Sequence, residues 1–383
     1  MRFIHTGDWH LGRLFHNLHL TDDQRFTLEG LVRLAEDKQV DGLVVAGDVY
    51  DRAVPPTQAV TLLDDILAEF ALRLKVPVVI IAGNHDSPVR IQYLNGLVSR
   101  VGVHVIGAVG EEPTGVSIVG RDGVEVMFWP LAYTDPETAR CDLCCDDIHT
   151  HEEALRAQLG RIRSQMKEDA RHVVVGHAFV TGAKESESER PLTVGGTGQV
   201  SHEVFEGFDY VALGHLHRPQ VVSDRVRYAG SLLKYSFDEA DHEKSVAVID
   251  IDKDGNITVS EEALPIRRDL VRLRGTFDEL LAKPDAAECA DAYVEVTLVE
   301  SEAVLDPMER LRDVYPHIVS LRRESLAGEL DEGERRPVEG RSTKQLFGDF
   351  FEDVTGAGLT SDQEAELEST FAEIARELRE VVA

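Results

Sequence analysis

The sequence predicts an α/β protein in which a layered domain over residues 1–260 is followed by a small α+β unit at 265–325, a linker at 326–341 and a helical segment at 342–383. Three observations predict it. Short apolar runs, often rich in Val and Ile, recur through the first two thirds, helical patterns separate several of them, and the character of the chain changes around Leu264 to Arg268.

The runs are Arg2 to His5, Gly42 to Ala46, Val76 to Ala82, Val124 to Trp129, His172 to Val175, Tyr210 to Leu213 and Val246 to Ile251, each short enough to read as a buried strand. Thr21 with Gln24 predicts a capping box, and Pro55-Pro56 precedes an amphipathic stretch carrying Leu62, Leu63, Ile66 and Leu67. The glycine-rich span from Gly107 to Gly123 reads as a turn-laden connection, and Lys184 to Arg190, KESESER, as a solvated polar loop.

Beyond Arg268, β-like segments such as Tyr293 to Val299 predict the small unit, and the charged, glycine-containing stretch from Ala327 to Arg341 is the linker. Two helices are expected in 342–383, the second opening on a capping box of Ser361 and Glu364. Leu367, Phe371, Ile374 and Leu378 then put an apolar stripe on one face, which packs either on this chain or on a partner. The preceding linker and the cluster Phe347, Phe350 and Phe351 favour the partner.

Composition narrows the classes. Hydrophobic residues at 43% and charged residues at 29% are near globular averages, which excludes a disordered or collagenous chain. No apolar run is long enough for a membrane span, and MRFIHTGDWH reads as a strand and polar chemistry rather than a leader, so a cytoplasmic location is expected. The four cysteines make no disulfide framework. Cys141, Cys144 and Cys145, near His149 and His151, are either a structural zinc site or a loop of reduced thiols. A net charge of −30 counts against autonomous, tight binding of nucleic acid through a basic surface. It does not count against cutting, since bound metal ions or a partner can supply positive charge.

Five short motifs occur in order: Asp8-Trp9-His10, Gly47-Asp48, Gly83-Asn84-His85-Asp86, Gly176-His177 and Gly214-His215-Leu216-His217. Each follows an expected strand, so all would converge on the crevice at the carboxyl ends of the sheet. Carboxylates, imidazoles and an Asn carbonyl form a mixed oxygen and nitrogen donor set that suits manganese, iron or zinc and lacks thiolates. The candidates are too many for one ion and suit two, which usually share a ligand; Asp48 is the natural bridge.

This ordered set resembles the calcineurin-like metallophosphoesterase superfamily. HTGDWHLGR, GDVYDRAVPP, GNHDSPVR, YVALGHLHRPQ and YAGSLLKYSFDEADHEKSV are similar to segments of its SbcD nucleases, specifically over residues 1–250 and by architecture beyond. The resemblance implies a layered metallophosphoesterase β-sandwich flanked by helices, a capping domain at 265–325 and a helical SbcC-binding segment at 342–383. It implies two divalent ions, foremost Mn2+, and phosphodiester hydrolysis in DNA, as a double-strand exonuclease and a single-strand and hairpin endonuclease serving repair, replication or recombination. The implied partners are DNA, an SbcC-like ATPase and a second copy of the chain, in a homodimer and a heterotetramer with SbcC.

By the same resemblance Asp8, His10 and His217 would hold one ion, Asn84, His177 and His215 the other, with Asp48 between them. His85 would be catalytic, facing the scissile phosphate. Asp86 would either orient His85 or cap the following turn. Arg13 and Arg52, with Trp9 and His16, would either border the substrate or serve packing and solvation. Archaeal and eukaryotic relatives carry a second histidine shortly after the bridging Asp; Asp51 stands there in this chain, its role open. Two other functions share the motifs: a phosphatase or phosphodiesterase for small phosphorylated molecules, and a scaffold with a vestigial site. The carboxyl-terminal extension argues against the first and the intact ligand set against the second.

Overall fold

The computed structural model describes all residues except 111, 190–191, 193–197, 283–288, 300–303, 325–342, 368–369 and 371–383. It divides into two compact units, Met1–Leu270 and Val271–Ala383.

The first unit is built on two six-stranded sheets. One runs Ile257–Glu262, Val246–Ile251, Arg2–Thr6, Gly42–Val45, Val78–Ile81, Val103–Ile106, and its last four strands are parallel. The other runs Gln220–Val221, Val226–Tyr228, Tyr210–Gly214, Arg171–His177, Glu125–Pro130, Val116–Val119, parallel through its middle. Side chains alternate between the faces of these strands. Phe3, Val44, Val79 and Ile81 point inward to meet Phe128, Val173, Val175, Tyr210 and Ala212 of the opposite sheet. Ile4, Leu43, Val45, Val78 and Ile80 point outward, into the core shared with helices Thr21–Asp37 and Thr57–Ala68. On the far side Val174, Val211 and Leu213 pack with Leu159 and Ile162 of helix His151–Arg163. Strands buried on both faces explain why the runs are apolar throughout rather than alternating.

Two local expectations are corrected here. Thr21 is the first helical residue, not the cap, and no side chain caps this helix. Gln24 is instead buried and spends its amide on the loop after the first strand. The span Gly107 to Gly123 is not only a connection: Val116–Val119 pairs antiparallel with Glu125–Pro130, with Val116 and Ile118 buried and their neighbours exposed. Such a four-residue edge strand has too little alternation to stand out between glycines.

The second unit pairs Leu270–Gly275, Tyr293–Leu298 and Ile318–Arg323 in one sheet, with helices Phe277–Leu281 and Pro307–Arg312. Phe277, Leu280, Val294, Val296, Leu311 and Tyr315 form its core. A further helix spans Thr343–Thr355. The cap of the last described helical turns is Thr360 with Gln363, one residue before the expected Ser361 and Glu364: each donates its backbone amide to the other's side chain. The linker expected at 326–341 and the stripe beyond Leu367 lie outside the described residues.

Candidate metal centre

Asp8, His10, Asp48, Asn84, His177, His215 and His217 all lie at or just past the carboxyl ends of strands, and the two sheets bring them together. The turns that do this are strained. Asp8, His10, Asp48 and His215 have φ of 50, 44, 47 and 103°, a region costing side-chain-bearing residues on the order of 1–3 kcal/mol each and concentrated at functional sites. Backbone bonds from Asp8 to the Gly47 carbonyl at 3.0 Å, and from His10 and Leu11 to Asp48 and Val49 at 2.9 Å, fasten the first two turns together. The third is fitted as closely: a Cβ on Gly83 would lie 2.1 Å from Asp48 Oδ1.

Asp48 is central. Its Oδ1 accepts the His85 backbone amide at 2.9 Å. Its Oδ2 faces His177 Nε2 at 3.5 Å, His10 Nε2 at 3.7 Å and His85 Nε2 at 4.0 Å. One carboxylate oxygen therefore reaches both halves of the donor set. Asp8, Asp48 and His177 converge as one potential metal-binding group, and His10, Asp51 and His85 as another. Asp8 Oδ1 accepts the His215 amide at 2.9 Å, while Asp8 Oδ2 is buried with no hydrogen-bond partner among the described residues. His177 Nδ1 donates to the Ala46 carbonyl at 2.9 Å, and His177 Nε2 faces Asn84 Oδ1 at 2.9 Å. His10 Nε2 and His217 Nε2 meet at 3.0 Å. Two facing ring nitrogens, the buried group of Asp8, Asp48 and His177, and a carboxylate oxygen left without a partner among the described residues are donors that fit divalent cations.

Burial and neighbouring charges set the protonation of each donor. Burial, reinforced by neighbouring imidazoles, pushes His10 and His215 well below the ordinary histidine range despite Asp48, leaving both rings neutral. Burial opposes the charge on Asp48, but His177, His10 and His85 outweigh it and hold this carboxyl well below the usual range. Burial raises Asp8 to about 7 against the pull of His177 and His217. For His177, burial is overcome by Asp48 and Asp8, and the net shift is upward to about 9.

His85 is half-buried, its ring 4.7 Å from that of His10 and its Nδ1 2.8 Å from the Asp51 carbonyl. Asp86 does not orient His85: its carboxylate accepts from the amides of Gly83, Val49 and Tyr50 at 2.9–3.1 Å, tying the second and third turns together. The carboxylate is spent on three backbone donors, and among the described contacts none joins it to the neighbouring ring. Arg13 pairs with Asp51 at 2.8 Å and lies over the Tyr235 ring at the border of the site. Arg52 is exposed and makes no hydrogen bond or ion pair among the described residues. Trp9 does not border the site: it is fully buried and donates to Thr6 Oγ1 at 3.0 Å, so it is core. His16 is exposed, against Phe15 and Phe237. Cys141 and Cys144 are exposed, and the cysteines join neither metal-binding group found among the described residues.

Sequence reasoning missed the residues behind the candidate ligands. Gln24 donates to the carbonyls of Trp9 and His10 at 3.0 and 2.8 Å and accepts from the Gly12 amide. Glu239 contacts His217 Nδ1 at 3.1 Å, and Lys244 contacts Glu239. The loop KESESER is not simply solvated either: Ser188 is buried against His217, and Glu189 accepts the His217 amide at 2.7 Å. The only signal for Glu239 and Lys244 was their place in SFDEADHEKS; Gln24 was marked only as a helix cap, and Ser188 only as part of a polar loop.

Two stacked sheets that gather carboxylate, imidazole and amide donors around Asp48 define a metal-dependent phosphoesterase. Residues 1–219 match the family model of the calcineurin-like phosphoesterases, and residues 266–355 match that of the type 5 capsule protein repressor C-terminal domain, SbcD_C. The SbcD subunit of the nuclease SbcCD of Staphylococcus epidermidis (strain ATCC 12228 / FDA PCI 1200) is 30% identical over 324 residues, 84% of this chain and 85% of that one. The chain belongs to the calcineurin-like phosphoesterase family, in its SbcD branch. Among solved structures, TT1561 of Thermus thermophilus aligns at 15% identity with a TM-score of 0.39, covering 68% of this chain and 98% of that one. A novel archaeal phosphodiesterase aligns at 11% identity with a TM-score of 0.30, covering 68% and 99%.

Proposed function

We propose that this chain is a DNA nuclease subunit that hydrolyses phosphodiester bonds at two divalent ions, Mn2+ foremost, in a complex with an SbcC-like ATPase. The observation that carries the two-ion reading is Asp48 Oδ2, within 3.7 Å of both His10 Nε2 and His177 Nε2. Asp8, His10 and His217 would hold one ion, Asn84, His177 and His215 the other, and Asp48 would serve both. Such ions supply a positive clamp for the phosphodiester and an acidified water as nucleophile. The chain contributes positioning and protons. With Nδ1 committed to the Asp51 carbonyl, His85 presents Nε2 to the cage, where its imidazolium form would donate a proton to the leaving oxygen. Arg13 and Arg52 lie on turns that carry His10 and Asp48 and would contact flanking phosphates.

The assignment to DNA is supported by the relative that spans 84% of the chain and by the match over 266–355, beyond what a small-molecule phosphatase needs. The unit from 265 to 325 would cap the substrate, and the segment from 342, with Phe347 and Phe350 exposed, would dock on the ATPase. Exposed Val89, Tyr93 and Leu97 support a homodimer, and with it a heterotetramer. No helix among the described residues is long and apolar enough to cross a membrane, and the cysteines described are free; the cytoplasm is the compartment this fits. A partner that grips DNA would also offset the net charge of −30.

The test is nucleotide release from blunt double-stranded DNA with Mn2+, with and without an SbcC-like partner. Mn2+-dependent cutting that the partner stimulates is expected. No cutting in either condition, alongside rapid turnover of a small phosphodiester, would contradict the DNA assignment.

A further inference from the structure

His217 is held from behind by groups outside all five motifs. Its Nδ1 lies 3.1 Å from Glu239 Oε1 and 2.5 Å from Ser188 Oγ, and the Ser188 hydroxyl donates to the same Glu239 oxygen. The second Glu239 oxygen accepts from Lys244 Nζ at 2.5 Å. Lys244 also donates to the His217 carbonyl at 2.7 Å and to Ser231 Oγ at 2.8 Å, so all three of its N–H groups are used. Glu239 is 0% and Lys244 6% exposed at the side chain.

A buried ion pair of this kind gives little net stability compared with apolar packing, because both charges must be desolvated. Its effect here is directional. With acceptors crowding Nδ1, the ring proton belongs there, and the Nε2 lone pair is turned into the cage toward His10. The Lys244 contact to the His217 carbonyl and the Glu189 contact to its amide fix the backbone at the same point. His177, His85 and His10 are held differently: His177 and His85 use backbone carbonyls at Nδ1, and His10 Nδ1 has no hydrogen-bond partner among the described residues.

We propose that Glu239, with Lys244 as its counter-ion, is a positioning residue that locks His217 in the Nδ1–H form and thereby sets the affinity of one of the two metal positions. The inference rests on His217 being a metal ligand, as read above. It distinguishes the two positions: the one served by Asp8, His10 and His217 depends on Glu239, while the one served by Asn84, His177 and His215 does not.

The experiment is calorimetric titration of the full chain with MnCl2, run on wild type, Glu239→Gln, the double variant Glu239→Leu/Lys244→Met, and Asn84→Ala, with a thermal melt of each in chelator. The double variant removes both buried charges together, so it folds where a lone Glu239 change could strand Lys244. Two Mn2+ per chain are expected for wild type. Glu239→Gln and the double variant should weaken one of them by about 10–100-fold and leave the other unchanged, and Asn84→Ala should weaken the opposite one. A folded double variant that binds two Mn2+ with wild-type affinities overturns the proposal and leaves the metal reading standing. A wild type that binds no Mn2+ overturns both.

Discussion

His85 Nδ1 donates to the backbone carbonyl of Asp51 over 2.8 Å, so the catalytic candidate is oriented by main chain rather than by a carboxylate. Removing the Asp51 side chain leaves that bond in place. His85→Ala should lower DNA cleavage by about 10²–10⁴-fold with both Mn2+ still bound, while Asp51→Ala should cost much less, chiefly through release of Arg13. Steady-state cleavage rates beside Mn2+ isotherms check this; equal losses in the two variants would mean that the Asp51 carboxylate itself takes part.

Gln24 joins helix Thr21–Asp37 to the first metal turn through bonds to Trp9, His10 and Gly12. Gln24→Ala strands these buried groups, at about 1–3 kcal/mol for an unsatisfied group. The melting temperature should fall and the first turn should loosen. Gln24→Glu should be worse still, because a carboxylate would face two carbonyls. Chemical denaturation of both variants decides the order.

Two glycines should behave in opposite ways. A Cβ on Gly83 meets Asp48 Oδ1 at 2.1 Å and the Asp48 backbone nitrogen at 2.4 Å, so Gly83→Ala must displace the shared carboxylate and should lose metal-dependent activity. Gly160 lies exposed in helix His151–Arg163 with nothing within 4 Å of its added Cβ. Gly160→Ala should stabilise the unit by about 0.5–1 kcal/mol with activity intact. Paired melts and cleavage assays test both.

Asp8, Asp48, Asn84, His177 and His215 follow runs such as Arg2–Thr6 and Tyr210–Gly214, buried on both faces, so strand and candidate ligand are legible together in the sequence. The chain order of the motifs then placed them at the carboxyl ends of strands, which the structure divides between two sheets. Ser188 and Glu239 were hidden because their partner His217 is 29 and 22 residues away and no periodicity connects them. Gln24 matched a capping pattern while a tertiary contact claimed its side chain, and Asp86 satisfied backbone amides in two turns rather than the ring beside it. Val116–Val119 was masked by its flanking glycines.

Chelator-treated protein should lose stability as pH rises from 6.5 to 9. His177 carries a folded value of about 9 against 6.5, so its proton stabilises the fold fully below 6.5 and that contribution is gone above 9. Asp8 and Asp86, both raised to about 7 chiefly by burial, act in the same direction at lower pH. His10 and His215, neutral in the fold, oppose this slope only near pH 6.5, where the unfolded rings still bind protons, and cease to contribute as pH rises further. Mn2+ needs the deprotonated ligands, so the stabilisation it gives should grow with pH over the same interval. Melts at several pH values with chelator and with MnCl2 measure both slopes; parallel curves would contradict the assignment of His177 as a ligand.

The most direct measurement is anomalous diffraction at the manganese edge from crystals of the full chain grown with MnCl2. Two peaks are predicted, one beside Asp8, His10 and His217 and one beside Asn84, His177 and His215, both touching Asp48. A single peak, or peaks away from Asp48, would contradict a shared two-ion centre.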